Sequence, residues 1–236
     1  MHGDVSYKVY NCTVSNNFCA WWGGGVYGES LFRCQVLNNL GSNGGGIAFG
    51  FASHCVFRGN TGTNTGGAYG SSAANAPNLY NCLFVANSAQ ASGFPGGAGS
   101  YAFLHNCTVV SNSAAAGPGG LGANAVATNC IVTDNYRPGS GVSNYSGSAA
   151  FAYSCTYPMP TGAGDAGGNT ASAPGFRNPA AGDYHLTSQS PCVNSGTNEV
   201  WLNDTTDLDG GIRIRYGRVD MGCYECLYQG AIFSGR

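Results

Sequence analysis

The sequence predicts an all-β chain wound into a parallel β-helix, a solenoid of about seven coils with a closing segment at its C-terminus. Three features point there. Cysteine recurs at Cys12, Cys34, Cys55, Cys82, Cys107, Cys130 and Cys155, at separations of 22, 21, 27, 25, 23 and 25 residues. Asparagine stands five places after each of the first six, at Asn17, Asn39, Asn60, Asn87, Asn112 and Asn135, and the seventh unit breaks the pattern with Pro160. A glycine cluster separates each asparagine from the next cysteine: GGGV from Gly23, GGGI from Gly44, GGAY from Gly66, GGAG from Gly96, GGLG from Gly119 and GSGV from Gly139. A period of about 20 to 50 residues marks a repeat architecture.

The cysteine segment comes first in each unit. Residues two before it include Tyr10, Phe32, Tyr80 and His105, and those two after it are Val14, Val36, Phe57, Phe84, Val109 and Val132. The positions just before the cysteine are more polar: Asn11, Arg33, His54, Asn81, Asn106 and Asn129. Alternation at period two is the pattern of a half-buried strand. It predicts that each cysteine and its neighbours two places away share one inward face, with His105 core-facing or at a corner. The asparagine that follows suits a turn, because it tolerates the left-handed backbone region and its amide can bond equivalent asparagines above and below. The glycine clusters would break a helix and suit tight corners where backbones pass closely. One unit cannot bury its own apolar face, so the units stack about 4.8 Å apart. Residues 1–160 are assigned to the coils and 161–236 to a closing segment packed on the same solenoid. Length variation, such as the insertion from Ser71 to Pro77, is expected in loops.

Composition narrows the partners. Of 236 residues 43% are hydrophobic and 8% are charged, with 9 Lys+Arg and a formal net charge of -2, which leaves no basic face for nucleic acid. No apolar run is long enough for membrane insertion. The first ten residues lack the basic-then-apolar pattern of a signal peptide, which reads most simply as a trimmed or mature chain.

The N-C-x-[VF]-x-x-N and GGG-[VI] units resemble those of the secreted right-handed parallel β-helix repeat proteins of bacteria, which often occur on cell surfaces. The tail is similar too: DYHLTSQSPCVNSG (183–196) followed by DLDGGIRIRYGRVDMGCYE (207–225) looks like the segment that closes many such helices before a surface-anchoring region. The resemblance implies a right-handed coil and an extracellular or cell-surface location. The group includes lyases, hydrolases and adhesins, so fold does not fix function.

Cysteines stacked at strand spacing have Cβ atoms about 4.8 Å apart, wider than the roughly 3.8 Å of a disulfide. The cysteine column is therefore expected to hold buried free thiols, and Cys192, Cys223 and Cys226 are better disulfide candidates. Cys223-x-x-Cys226 lacks the second pair a structural zinc site needs. From Val5 to Pro160 the acids are Glu29 and Asp134 alone, in different registers, so no catalytic carboxylate pair is expected on the coils and no catalytic residue is assigned. Eight of the eleven acids gather in the tail. Within NDTTDLDGG, Asp204, Asp207 and Asp209 suggest a calcium loop, but without the spacing or terminal Glu of an EF-hand. The alternative is a turn in which Asp207 or Asp209 caps amides and pairs with Arg213 or Arg215. The sequons at Asn11, Asn106, Asn144 and Asn203 matter only in a glycosylating host. Phe18, Trp21 and Trp22 fall in an expected loop of the first coil, either as a glycan platform or as a lid or protein contact over the solenoid end. Together these features predict an extracellular structural or adhesion scaffold that self-associates end to end into filaments. The alternatives are a polysaccharide lyase or glycosidase and a carbohydrate-binding module.

Overall fold

A computed structural model describes residues 7–90 and 96–227. The chain is an all-β parallel solenoid of stacked coils. The first sheet holds Lys8–Tyr10, Ser30–Phe32, Ala52–Ser53, Asn78–Tyr80, Phe103–His105, Val126–Thr128 and Ala150–Ala152, in chain order. The second holds Thr13–Ser15, Gln35–Leu37, Val56–Arg58, Leu83–Val85, Thr108–Val110, Ile131–Thr133 and Cys155–Thr156. The third begins at Phe18–Trp22 and runs through five further parallel strands to Tyr136–Arg137, where Gly141–Val142 folds back antiparallel. Seven rungs in each of the first two sheets are joined by six turns of chain. The expected seven coils thus become six full turns and a partial seventh.

The inward face differs from the expected one by a residue on one side of the cysteine. The positions just before it, Asn11, Arg33, His54, Asn81, Asn106, Asn129 and Tyr153, all have φ between 47° and 56°. This left-handed residue turns the chain between the first and second sheets and resets the alternation. Leu31, Ala52, Leu79, Leu104, Ala127 and Phe151, three places before the cysteine position, are therefore fully buried beside the cysteines and the Val36, Phe57, Phe84, Val109, Val132 column. Tyr10, Phe32, Tyr80 and His105 point outward. They belong to an external stripe in which Tyr10 stacks on Phe32 at 4.8 Å and Tyr80 on His105 at 4.7 Å.

The asparagine ladder is continuous. Asn87 donates both its backbone N–H and its Nδ2 to Oδ1 of Asn112, each at 2.9 Å, and its own Oδ1 receives the same pair from Asn60 at 3.0 and 2.9 Å. Its Nδ2 also reaches the Phe57 carbonyl of the preceding coil at 3.0 Å. The left-handed residue is the one before the ladder: Asn16, Asn38, Gly59, Ala86, Ser111 and Asp134 have φ between 53° and 66°. The seventh place is filled by Asn144, whose Oδ1 accepts from Asn135 N–H and Nδ2 at 2.9 and 3.0 Å.

Cysteines 34, 55, 82, 107 and 130 lie in one buried column above Cys12, and backbone N–H groups of Cys34 and Cys55 point at the sulfur one rung on, each at 3.4 Å. Cys155 does not belong to this column. It pairs in register with Ile131, and the column's seventh place goes to Ser154, whose Oγ accepts the Cys130 N–H at 2.9 Å. In the seventh unit the cysteine comes one place after the column position. The glycine corners are close approaches: a Cβ on Gly45 would meet the Thr61 carbonyl oxygen at 2.3 Å.

The far end of the solenoid is closed. Asp165 bridges Phe151 and Thr170 bridges Cys155, while Asn169 Oδ1 accepts the Ser154 N–H at 2.8 Å. The following residues run back along the outer face of the second sheet, covering Leu83, Val85 and Val110 with Tyr184, Cys223 and Phe176. That is why these strands are apolar on both faces.

Candidate functional site

Among the described residues nothing covers the first rung. Cys12 and Asn17 are exposed although Cys34 and Asn39, directly above them, are 1% exposed. Val9 and Val14 are only partly covered, against full burial of Leu31 and Val36. Phe18, Trp21 and Trp22 form a strand of the third sheet and not a loop, because Phe18 and Cys19 pair with Leu40 and Gly41 of the next coil. A bulge between Cys19 and Trp22 then splits the three rings. Phe18 and Trp21 are 71% and 76% exposed, whereas Trp22 packs on Phe49 at 4.6 Å. The expected platform is thus two exposed rings and one covered one.

Asp204, Asp207 and Asp209 occupy separate surroundings. Asp204 ends a 3-10 turn at the surface. Asp207 is buried, with Oδ1 accepting the Gly211 N–H at 2.6 Å and Oδ2 the Glu225 N–H at 2.9 Å. Asp209 turns away to His185. Among the described residues no group of three or more His, Cys, Asp or Glu side chains is placed to hold a metal ion.

Sequence reasoning missed the cluster around His185. Asp183 and His185 share one side of the strand Asp183–Leu186, and Nδ1 of His185 meets Asp183 Oδ1 at 2.5 Å. Its Nε2 meets Asp209 Oδ2 at 2.6 Å, and the Tyr224 ring lies 4.0 Å from the imidazole. Burial opposes charge on this ring, but the hydrogen bonds and charges of Asp209 and Asp183 outweigh it and raise the imidazole above its ordinary value. His185 therefore contributes stability that is present below the ordinary imidazole value and fades as pH climbs through its raised one. Asp209→Asn should lower the His185 titration midpoint seen by NMR, with a stability change below about 1 kcal/mol because Asp209 is well exposed. An unmoved midpoint would remove Asp209 as the holding group.

Beside this cluster is a cavity of about 430 Å³ lined by Arg177, His185, Asp207, Asp209, Arg215 and Glu225. Its inner wall belongs to a buried knot. Arg213 is fully buried, and its Nη2 lies 3.3 Å from Glu225 Oε1 and donates to the carbonyls of Asp220 and Gly222 at 3.1 and 2.9 Å. Asp220 accepts the N–H groups of Asn194 and Cys226, each at 2.6 Å. Burial pushes Glu225 up to about 8 and raises Asp220 as well, against the pull of Arg213. Glu225 and Asp220 thus hold their protons more tightly than ordinary carboxyls although a guanidinium lies beside them. The only sequence signal for this knot was the gathering of acids and arginines after residue 200.

The two other described histidines anchor the tail. His54 Nε2 contacts the Thr206 carbonyl at 2.8 Å, and His105 meets Glu199 at 3.3 Å beside Trp201. They serve separate contacts.

No protein-family model and no curated protein sequence matches the chain. Among solved structures, a crystal structure of pectate lyase Pel9A is similar, with a TM-score of 0.54 at 12% sequence identity. The likeness covers 92% of this chain and 65% of that one. At such low identity it shows the parallel β-helix fold and nothing further.

Proposed function

We propose that this chain is an extracellular scaffold or adhesion module of the β-solenoid class that self-associates through its first rung. The observation that carries this is that, among the described residues, nothing seals the interior at that rung, where Cys12 and Asn17 are exposed and Val9 and Val14 half-buried. Exposed Tyr7, Tyr10, Phe18, Trp21 and Tyr27 surround it, and Lys8 is the one charged residue between Tyr7 and Tyr27, so little repulsion opposes a second apolar edge. The far end is covered by residues 161–172, so stacking stops once two first rungs meet. A two-fold dimer replaces the filament expected from the sequence. Light scattering at rising concentration should show the mass double and then level off, with Trp21→Ala and Phe18→Ser shifting the transition to concentrations about tenfold higher or more. A monomer at every concentration, or open-ended growth, would reject this arrangement. No nucleic acid and no membrane insertion enter the proposal; among the described residues no helix is long and apolar enough to cross a membrane.

The glycan-binding reading keeps only Phe18 and Trp21 as free faces, since rings of the external stripe spend their faces on one another. A glycan array with both substituted separates it from self-association. The second reading is a polysaccharide-degrading enzyme. It is favoured by the tail cavity, where exposed Asp209, the high-pKa Glu225 and two arginines face one space. Depolymerisation of acidic or neutral glycans that disappeared in Glu225→Gln would overturn the scaffold reading.

A further inference from the structure

The cysteine displaced from the column has a different neighbourhood from those within it. Cys155 faces outward from the second sheet into the cluster formed with Ile131, Leu186, Cys192, Met221 and Cys226. Cys192 of the closing segment shares that cluster with Cys155 of the last rung, whose Sγ donates to the Ser172 carbonyl at 3.2 Å, and each thiol shifts the other's acidity. We propose that Cys155 and Cys192 form a disulfide that staples the closing segment to the last rung in an oxidising compartment.

Three observations favour this pair. Column cysteines come from adjacent strands in register, with parallel side chains at a spacing too wide for an S–S bond. Cys155 and Cys192 come from separate segments, so no strand register holds their sulfurs apart. Cys226 shares the cluster, but the thiol that acts on Cys155 is that of Cys192, and no cysteine acts on Cys226. Cys155 also lines a cavity of about 230 Å³ with Thr133, Asn144 and Ser172, which gives a small thiol reagent a route to it. Its thiol is the more acidic of the two, because the Cys192 thiol lowers it against the effect of burial, so it is the attacking sulfur.

With a low-molecular-weight disulfide as oxidant, the Cys155 thiolate attacks one sulfur of the reagent and releases one thiol, leaving a mixed disulfide. The Cys192 thiolate then attacks the Cys155 sulfur and releases the second thiol. One S–S bond is broken in the reagent and one is made in the protein, and the two protein thiol protons pass to the released thiols. The pair lies on the closed half of the solenoid, so the inference does not depend on first-rung association.

The test is refolding of the full chain in a glutathione redox buffer, alkylation of remaining thiols, intact mass and peptide mapping without reduction. The expected product has two unalkylated cysteines and a single cross-linked peptide pair joining Cys155 to Cys192. Its melting temperature is higher by several degrees than that of the reduced chain, and dithiothreitol reverses the gain. Mapping needs no variant to fold; Cys192→Ser serves as a control that should lose both the link and the gain. Full alkylation of both cysteines after oxidative refolding, or a link from Cys192 to Cys226, would overturn the assignment.

Discussion

Asn87→Ala is expected to destabilise the chain by about 3–6 kcal/mol, while Asn17→Ala costs under about 1 kcal/mol. Both remove the same side chain from the same ladder. The difference lies in what is left behind. Asn87 is fully buried, and its Oδ1 takes two donors from Asn60 while its Nδ2 serves the Phe57 carbonyl and the Asn112 amide oxygen. Truncation strands two to three of these groups away from water, at about 1–3 kcal/mol each. Asn17 is exposed, so water replaces what it loses. Asn87→Asp should be at least as costly as alanine, because it turns a donor facing the Phe57 carbonyl into a buried negative oxygen. Chemical denaturation of the three variants tests this. Equal losses at positions 17 and 87 would mean that the ladder does not carry the stability assigned to it. Because each coil touches only its neighbours, the damage at Asn87 splits the solenoid near its middle.

The repeating half of the molecule was legible because vertical stacking forces equivalent residues into equivalent surroundings. Cysteine and asparagine at a fixed offset were enough to set the columns. Two features escaped because they depend on backbone conformation and not on residue type. The left-handed residue before each column position is Asn in four units but Arg33, His54 and Tyr153 in others, so nothing in the letters marked the reset that sends Tyr80 outward and Leu79 inward. The ladder's last member, Asn144, follows Asn135 by nine residues instead of a full coil, because the antiparallel turn at Gly141–Val142 shortens the path. The closing segment has no repeat to read. Contacts such as His185 with Asp209, or Asn106 with the Asp220 carbonyl 114 residues away, join positions whose spacing carries no periodic signal. The tail acids drew notice as a calcium candidate, yet of the three only Asp207 turns inward to the Glu225 N–H beside the buried arginine, while Asp204 stays at the surface and Asp209 turns to His185.

The knot around Arg213 sets the second large effect. Arg213→Met is expected to cost about 3–5 kcal/mol, because it leaves Asp220 and Glu225 buried without their positive partner. The loss should appear first as loosening of the closing segment around the knot, read by protease cleavage within residues 194–226 before the coils are cut. The knot also has a pH signature. With Glu225 held at about 8, the folded chain keeps a proton that the unfolded chain releases in the ordinary carboxyl range. Stability is therefore fullest below that range and declines as pH rises toward about 8, a direction shared with His185. Glu225→Gln, which resembles the protonated acid, should flatten the decline in a plot of urea midpoint against pH. It should also rescue part of the Arg213→Met loss, since removing both members of a buried pair strands less charge than removing one. If the double variant were no more stable than Arg213→Met alone, and the slope survived in Glu225→Gln, the proton would have to reside on another group. Asp220, raised by the same burial, would be the place to look next.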